Sequence, residues 1–227
     1  MSDALILHHL EYSQSFRNLW LLEELGIDYQ LKLYERDKKT LLAPAALKEL
    51  SPLGTAPVLT HGDLHLAETS AITDYILDLA PEATLRTMPE EPHHARHLFW
   101  YHAAQGSLMP LILMDMILRI VQKRMPLPLR PVAKLVTKVI TGNFIKPRVA
   151  VFLKKAEADL NKAVWFGGDR LSIADITMSY PMQSAFERGF IGVEHKHCRA
   201  WLQRIKDRPA FQAAKEKDGR ESMILPL

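Results

Sequence analysis

The sequence has few residues that could stabilise a fold through a disulfide bond or a bound metal ion. Cys198 is the one cysteine among 227 residues, so no disulfide can form within the chain. A protein of this kind fits a reducing compartment, and we predict a cytoplasmic location. The histidines at 93–97 have no acid or cysteine at the usual ligand spacing, and the group at 195–198 is equally weak. We therefore predict no bound metal.

The sequence also lacks a long hydrophobic run. Its most apolar window, residues 108–121, contains Pro110, Asp115 and Arg119 and is shorter than the roughly 20 residues that span a bilayer. This window predicts a buried helix and no transmembrane segment. The apolar run at residues 4–7 is too short for the core of a signal peptide, so we expect no targeting segment.

Acidic residues are missing from residues 116–156, although the whole chain has a formal net charge of only +3. The ten basic residues of this basic block are Arg119, Lys123, Arg124, Arg130, Lys134, Lys138, Lys146, Arg148, Lys154 and Lys155. The pattern favours a solvated face of two long helices, and an anionic ligand or a membrane surface is the alternative partner. Few aromatic residues are interleaved to stack on bases, so we predict no nucleic-acid partner.

The distribution of proline divides the chain. Before the prolines at 81–92, strand and helix patterns alternate in the order β-α-β-α-β-β-α, which predicts a compact α/β layer. After them, helical spacing recurs in 92–124, 131–163, 173–188 and 195–207. We predict an α/β domain at 1–82, a linker at 83–91 and an all-α helical-bundle domain at 92–227.

A strand-entry proline stands beside a polar helix start in residues 51–72. Pro57 precedes the short apolar strand Val58-Leu59, and a helix opens at Glu68-Thr69-Ser70 after the turn at Gly62-Asp63. The exposed backbone of such a strand end and the amides of a helix N-terminus are suited to binding the backbone of a small peptide. The alternative is an ordinary strand start and ordinary helix capping.

Two serines stand where the first strand leads into the first helix. A hydroxyl at Ser13 would lie in the partial positive charge of the helix N-terminus, which stabilises a thiolate. The hydroxyl would donate a hydrogen bond to the sulfur and would not attack as a nucleophile. On spacing alone, the alternative is that Ser13 or Ser15 simply caps the helix.

Four motifs give this sequence a resemblance to a known family. They are residues 13–25, 52–59, 68–72 and 172–176, and Trp201 with residues 208–210 fits the usual end of the chain. The sequence resembles the cytosolic glutathione transferases, in particular their serine-type, theta-like group, over nearly its whole length. The resemblance implies a thioredoxin-like first domain that binds glutathione and an all-helical second domain.

The resemblance also implies roles for individual residues. Ser13 matches the serine that activates glutathione, and Tyr12 is the alternative because other classes use a tyrosine. Ala56 matches the residue whose backbone pairs with the cysteinyl part of glutathione, just before a cis proline at Pro57. The γ-glutamyl end would be held by an acid–hydroxyl pair, Glu68 and Thr69.

The resemblance specifies the contacts of the glycyl carboxylate and of the second substrate less fully. Thr55 stands where the family often has a basic residue, so Lys38, Lys39 or the basic block would hold the glycyl carboxylate instead. The second substrate would bind where the first helix of the helical domain faces Ser13. At a spacing of i, i+4, the residues placed for that pocket are Tyr101, Gln105 and Met109.

The activity implied by the resemblance is a homodimeric detoxification enzyme with glutathione as co-substrate. It would add the glutathione thiolate to hydrophobic electrophiles, with the reduction of organic hydroperoxides as a side activity. Two alternatives stay open. One is a non-catalytic interaction module with the same fold, and the other is a glutathione-dependent isomerase or dehalogenase.

Overall fold

A computed structural model describes residues 4–51 and 53–226 of the chain. The chain folds into two compact units. The first unit comprises Met1–Leu85 and Ile205–Leu225, and the second comprises Arg86–Arg204 and Pro226–Leu227, each as far as it is described.

Strands are found in the first unit. They are β1 (Leu5–Leu10), β2 (Gln30–Tyr34), β3 (Val58–His61) and β4 (Leu64–Ala67). They form one sheet in the order β2-β1-β3-β4, with β2 parallel to β1 and the other neighbours antiparallel.

Helices occur in both units. They are α1 (Phe16–Leu25), α2 (Ala45–Leu50), α3 (Thr69–Leu79), α4 (His94–Ala103), α5 (Met109–Arg124), α6 (Arg130–Ile140), α7 (Lys146–Lys162), α8 (Ile173–Glu187), α9 (Lys196–Lys206) and α10 (Pro209–Asp218). The predicted order β-α-β-α-β-β-α of the first domain is confirmed, and so is the helical character of the region after it.

Local sequence signals explain where the first helix ends. Gly26 adopts a left-handed backbone with φ of 63°, and its N–H donates to the carbonyls of Leu22 and Glu23. Glycine tolerates this conformation without the steric penalty of a Cβ atom, which is why the helical pattern stops there.

The C-terminal helix α10 packs within the first unit. The ring of Phe211 meets Phe16 and Trp20 of α1 edge-on, each with a centroid separation of 5.2 Å. An ion pair between Arg208 and Glu24 adds a second link between α10 and α1. Residues 205–225 thus belong to the first unit, whereas the predicted helical domain 92–227 includes them. The domain bounds 1–82 and 92–227 stay a prediction, because a sequence pattern shows an amphipathic helix without showing its partner. That the residues 83–91 act as a linker stays a prediction.

The helices of the second unit are long and contain π-helical turns. Residues 104–108 join α4 to α5, and residues 141–145 join α6 to α7, so each pair is continuous. A capping box begins α8, with Ser172 and Asp175 as its two side chains. Asp175 also accepts hydrogen bonds from the Phe166 amide (2.7 Å) and the Trp201 indole (2.9 Å).

The apolar segment of α5 is not the fully buried helix that its composition predicts. By length and composition, His94–Arg124 qualifies as a membrane-spanning helix, yet only 28% of the qualifying window is buried. One face, which includes Leu108, Ile112 and Asp115, is buried in the second unit. The opposite face exposes aliphatic side chains such as Ile117. The periodicity of the window shows only that one face is apolar enough to pack.

Candidate functional site

Three predicted site segments leave the sheet at one edge. His8, near the end of β1, pairs with Val58 at the start of β3, and Val58 pairs with Ala67 at the end of β4. The loops that carry Ser13, Pro57 and Glu68 therefore begin or end at neighbouring positions. The antiparallel register brings together residues that are far apart in the sequence.

The Ala56–Pro57 peptide bond is cis. The resemblance implies this isomer, whereas the residues by themselves do not specify it. Ala56 is half-buried and packs against a core cluster that contains Leu10 and Val58. Within residues 4–51 and 53–226, no backbone hydrogen bond outside the strands and helices involves Ala56. Its amide and carbonyl are therefore available to an extended peptide.

The start of α3 combines an exposed acid with a buried hydroxyl. Glu68 occupies the N-cap position with a φ of 75°, and its side chain is exposed, while Thr69 is buried. The Asn18 amide donates to the Thr69 carbonyl (3.4 Å) and to the Thr73 hydroxyl (3.0 Å), which ties α1 to the start of α3. The positive end of α3 favours a carboxylate, and the Glu68 carboxylate beside it suits an ammonium group.

Ser13 is held at the start of α1 by a dense set of hydrogen bonds. Its hydroxyl donates to the Leu10 carbonyl (2.7 Å) and lies 2.6 Å from the Ser15 hydroxyl. The backbone N–H of Ser15 donates to the Ser13 hydroxyl oxygen at 3.2 Å. Ser13 is 7% exposed, so these protein groups are the main partners of its hydroxyl.

The hydrogen bonds continue from Ser13 to the C-terminal helix. The Ser15 hydroxyl lies 2.6 Å from His9 Nδ1, and His9 Nε2 lies 2.7 Å from a carboxylate oxygen of Asp218. The Arg220 guanidinium lies 3.6 Å from the same oxygen. Ser15, His9 and Asp218 are all at most 3% exposed. We name Ser13, Ser15, His9 and Asp218 the serine chain.

The serine chain was missed by sequence reasoning, apart from its serines. Ser15 stands at the N-cap position of α1, but its side chain makes no capping hydrogen bond and contacts His9 instead. Simple capping is therefore not the role of this side chain. In the sequence, His9 is one residue of the first strand, and no local signal connects it with Asp218, 209 residues later.

Tyr12 lies in the same loop as Ser13. It has a left-handed backbone with φ of 49°, and its carbonyl accepts a hydrogen bond from the Arg36 guanidinium at 3.3 Å. The Arg220 guanidinium lies 5.8 Å from the centre of its ring. Both activation candidates therefore sit at the start of α1, and only Ser13 belongs to the serine chain.

The residues considered for the glycyl carboxylate are solvent-exposed. Thr55 lies just before the cis peptide bond and is exposed. Lys39 is exposed in the loop after β2, where its backbone N–H donates to Asp37 at 3.0 Å. Since β2 runs parallel to β1, this loop leaves the sheet at the same edge as Ser13.

The residues predicted for the second-substrate pocket follow one another along a single helix. Tyr101 and Gln105 are half-buried, and Met109 is buried. The regular i, i+4 spacing assumed for them is interrupted by the π-helical turn at residues 104–108. A π-helical turn contains more residues than an α-helical turn, so Gln105 and Met109 are rotated relative to their positions in a regular helix.

The candidate histidine groups form no metal site among the residues described. Nowhere in 4–51 and 53–226 do three histidine, cysteine or acidic side chains come together as metal ligands would. His97 stacks against Tyr101 with ring centroids 6.2 Å apart, and burial lowers the pKa of His97 to about 4. His97 is thus a neutral core residue at physiological pH.

Comparison with known proteins agrees with this architecture. The family model for the glutathione S-transferase N-terminal domain matches residues 13–79, and the model for the C-terminal domain matches residues 109–209. Glutathione S-transferase 1 of Saccharomyces cerevisiae is 33% identical over 92% of this chain and 93% of its own. Glutathione S-transferase 3 of Schizosaccharomyces pombe is 27% identical over 94% of this chain and 87% of its own.

A solved structure gives the same result for the fold. A glutathione S-transferase from Actinobacillus pleuropneumoniae is 28% identical, with a TM-score of 0.75 over 95% of this chain and 93% of that chain. Both family models match, and the Saccharomyces cerevisiae relative is similar across nearly the whole length of both proteins. This chain therefore belongs to the glutathione S-transferase family, whose members join the glutathione thiolate to electrophilic substrates.

Proposed function

We propose that this chain is a serine-type transferase in which the Ser13 hydroxyl stabilises the glutathione thiolate. The observation that supports this most directly is the serine chain, which places a buried hydroxyl at the N-terminus of α1. Ser13 leaves the sheet at the same edge as Pro57 and Glu68. A hydroxyl donor and a helix N-terminus both favour an anionic sulfur over a thiol.

The serine chain provides a way of keeping Ser13 a donor. With Asp218 accepting the proton of His9 Nε2, His9 Nδ1 is left as an acceptor for the Ser15 hydroxyl. Ser15 then has no proton to offer to Ser13. Ser13 is therefore the donor, either to the Ser15 hydroxyl oxygen at 2.6 Å or to the Leu10 carbonyl at 2.7 Å, and the same proton can turn to a sulfur.

Glutathione itself would be held by the neighbouring loops. The Ala56 backbone would pair with the cysteinyl part, and Glu68 with Thr69 would receive the ammonium and carboxylate of the γ-glutamyl end. Lys39 or Thr55 would contact the glycyl carboxylate. The thiol proton leaves to solvent, and the thiolate forms a carbon–sulfur bond as the leaving group departs with its electron pair.

The second substrate would be a hydrophobic electrophile that contacts Tyr101, Gln105 and Met109. A side reaction with organic hydroperoxides would oxidise two glutathione molecules to the disulfide and release an alcohol and water. We further propose a cytoplasmic homodimer with a role in detoxification. The family membership and the single buried cysteine support these assignments.

The proposal is tested with Ser13→Ala and, as the matched control, Tyr12→Phe. Removal of a preorganised donor to a developing anion typically lowers turnover by a factor of about 100 or more. We expect this loss for conjugation of a chlorodinitrobenzene by Ser13→Ala, with the glutathione Kd nearly unchanged in calorimetry. The pH at which bound glutathione shows thiolate absorbance should rise. Tyr12→Phe should resemble the unmodified protein.

Other outcomes identify the alternatives. Loss of turnover in Tyr12→Phe alone would make Tyr12 the activating residue. Absence of glutathione binding by the unmodified chain would point to a non-catalytic interaction module. Turnover of halogenated or isomerisable substrates in preference to simple conjugation would indicate a dehalogenase or isomerase.

A further inference from the structure

The end of the hairpin formed by α5 and α6 carries a concentrated positive charge. A surface cleft there is lined by four cationic side chains together with Gln122, Leu127 and Pro131. The four cations are Arg119, Lys123, Arg130 and Lys134. Among the described residues, no carboxylate takes part in the lining of this cleft. An anionic group entering it would meet several cations at once.

Exposed aliphatic side chains lie directly beside the cleft. Leu127, which is 73% exposed, contributes to the cleft lining, and the 3₁₀ turn Leu127–Leu129 ends with Leu129, which is also exposed. Val132 in the first turn of α6 is exposed as well. Exposed leucines beside a basic cleft are an unusual combination for a face that contacts only water.

Helix α6 continues the same combination along its length. Its inward face contains the buried Ala133 and the half-buried Thr137. The Thr137 hydroxyl donates to the Leu118 carbonyl of α5 at 3.4 Å. A second face, at i, i+3, i+4 and i+7 spacing, exposes the aliphatic residues Val132, Leu135, Val136 and Val139. A third face carries the basic residues Arg130, Lys134 and Lys138. Apolar and basic faces on one helix are typical of helices that lie in a membrane interface.

Two acids that balance part of this positive charge stand at the ends of the region. Arg119 pairs with the buried Asp115 at 2.6 Å, and Lys155 pairs with Asp159 at 3.0 Å. Both acids lie outside residues 116–156, within which the sequence has no acid at all. A self-contained solvated face usually mixes both signs of charge, so this region is complementary to an anionic surface.

We propose that the end of the α5–α6 hairpin docks on membrane surfaces that contain anionic phospholipids. Leu127 and Leu129 enter the headgroup region, and the cationic cleft receives lipid phosphates and carboxylates. Apolar insertion and charge attraction then act together at the same place. This docking would bring the enzyme to membrane-dissolved electrophiles, and it does not depend on which residue activates glutathione.

Charge argues against two other partners. Two copies of the chain that met through this end would place one cationic cleft against another, which is repulsive. A nucleic acid would match the charge, but the exposed side chains beside the cleft are aliphatic and offer no aromatic face on which bases stack.

The experiment is co-sedimentation of the full chain with vesicles of phosphatidylcholine, with and without phosphatidylserine. We expect binding to the phosphatidylserine vesicles at least ten-fold tighter than to phosphatidylcholine alone. This binding should weaken steeply with added salt, because the screening length is about 8 Å at physiological ionic strength. Equal binding to both vesicle types, or binding insensitive to salt, would overturn the proposal.

Three variants locate the docking surface. Lys123→Glu with Lys134→Glu should lower vesicle binding at least ten-fold, and Leu127→Ser with Leu129→Ser should lower it several-fold. The matched control, Lys162→Glu with Lys196→Glu, reverses two exposed lysines elsewhere in the second unit and should retain most of the binding. Circular dichroism and thermal melting verify that each variant is folded.

The variants also separate docking from self-association. If the leucine variant changes the oligomeric state in sedimentation velocity and leaves vesicle binding intact, the surface is an interface between copies and the proposal is wrong. If the control variant loses as much vesicle binding as the Lys123/Lys134 variant, the net charge of the whole chain explains the binding. That result would also contradict the proposal.

Discussion

Each unit of this protein contains a buried carboxylate at the start or end of a helix, and the two are satisfied in different ways. Asp175 in the second unit accepts from the backbone amides of Phe166, Gly167 and Ser172 and from the Trp201 indole. Asp218 in the first unit contacts the side chain of His9.

The two carboxylates differ in the kind of group that donates hydrogen bonds to them. The partners of Asp175 are mainly backbone groups around the start of α8, so its role ends with the local fold. The partner of Asp218 is a titratable side chain that continues through Ser15 to Ser13. A carboxylate satisfied by a side-chain network is able to influence chemistry at the far end of that network.

The largest effect on stability is expected for Asp175→Ala. This change leaves several buried donors without an acceptor, which costs about 3 kcal/mol of unfolding free energy. Turnover per folded molecule should stay the same. Chemical denaturation checks this, with the exposed Asp169→Ala as a control that changes stability by less than about 0.5 kcal/mol. A similar loss in both variants would contradict the structural role of Asp175.

A third carboxylate, Glu68, is exposed and is expected to act on the ligand alone. Glu68→Gln removes the negative charge that receives the γ-glutamyl ammonium, so the KM for glutathione should rise about ten-fold, with stability nearly unchanged. Steady-state kinetics with varied glutathione measures this. The control is Glu82→Gln, an exposed acid of the same unit outside the site. An unchanged KM in Glu68→Gln would remove this residue from the proposed site.

The effect of Asp218→Asn should appear in turnover rather than in glutathione binding. Asparagine no longer fixes the tautomer of His9, so we expect kcat to fall about ten-fold with the KM for glutathione unchanged. In a Ser13→Ala background, the same substitution should have almost no further effect on kcat, because both act through one hydroxyl. Full additivity in this double-mutant cycle would show that Asp218 acts only on the fold.

A dependence of stability on pH is expected in both units. Burial lowers the pKa of His8 and of His97 from the usual 6.5 to about 4, with Lys32 and His65 adding to the effect at His8. The unfolded chain therefore binds more protons than the folded chain below pH 6.5, so stability falls as the pH decreases from 6.5 towards 4. Thermal melting across this range should show the decline, and His8→Asn should make it shallower. An unchanged slope would mean that His8 does not contribute.

The comparison of Asp175 with Asp218 also shows which features a sequence pattern predicts and which it does not. The start of α8 was predicted correctly, because Ser172 and Asp175 are three residues apart and cap one helix. The serine chain was not predicted, since His9 and Asp218 meet only after α10 has packed against α1. The rotation of Gln105 and Met109 was also missed, because a π-helical turn changes the spacing that a regular helix would have.

By itself, the sequence determined the order of strands and helices, the polar residues at the helix starts, the family and the basic block. These features depend on neighbours a few residues apart, and local propensity and periodicity are enough to specify them. Only the tertiary structure decided that Asp218 reaches the network of Ser13, and that the aliphatic residues beside the basic cleft remain exposed. Those outcomes depend on which surfaces pack against each other, and packing between distant segments leaves no trace in a local pattern.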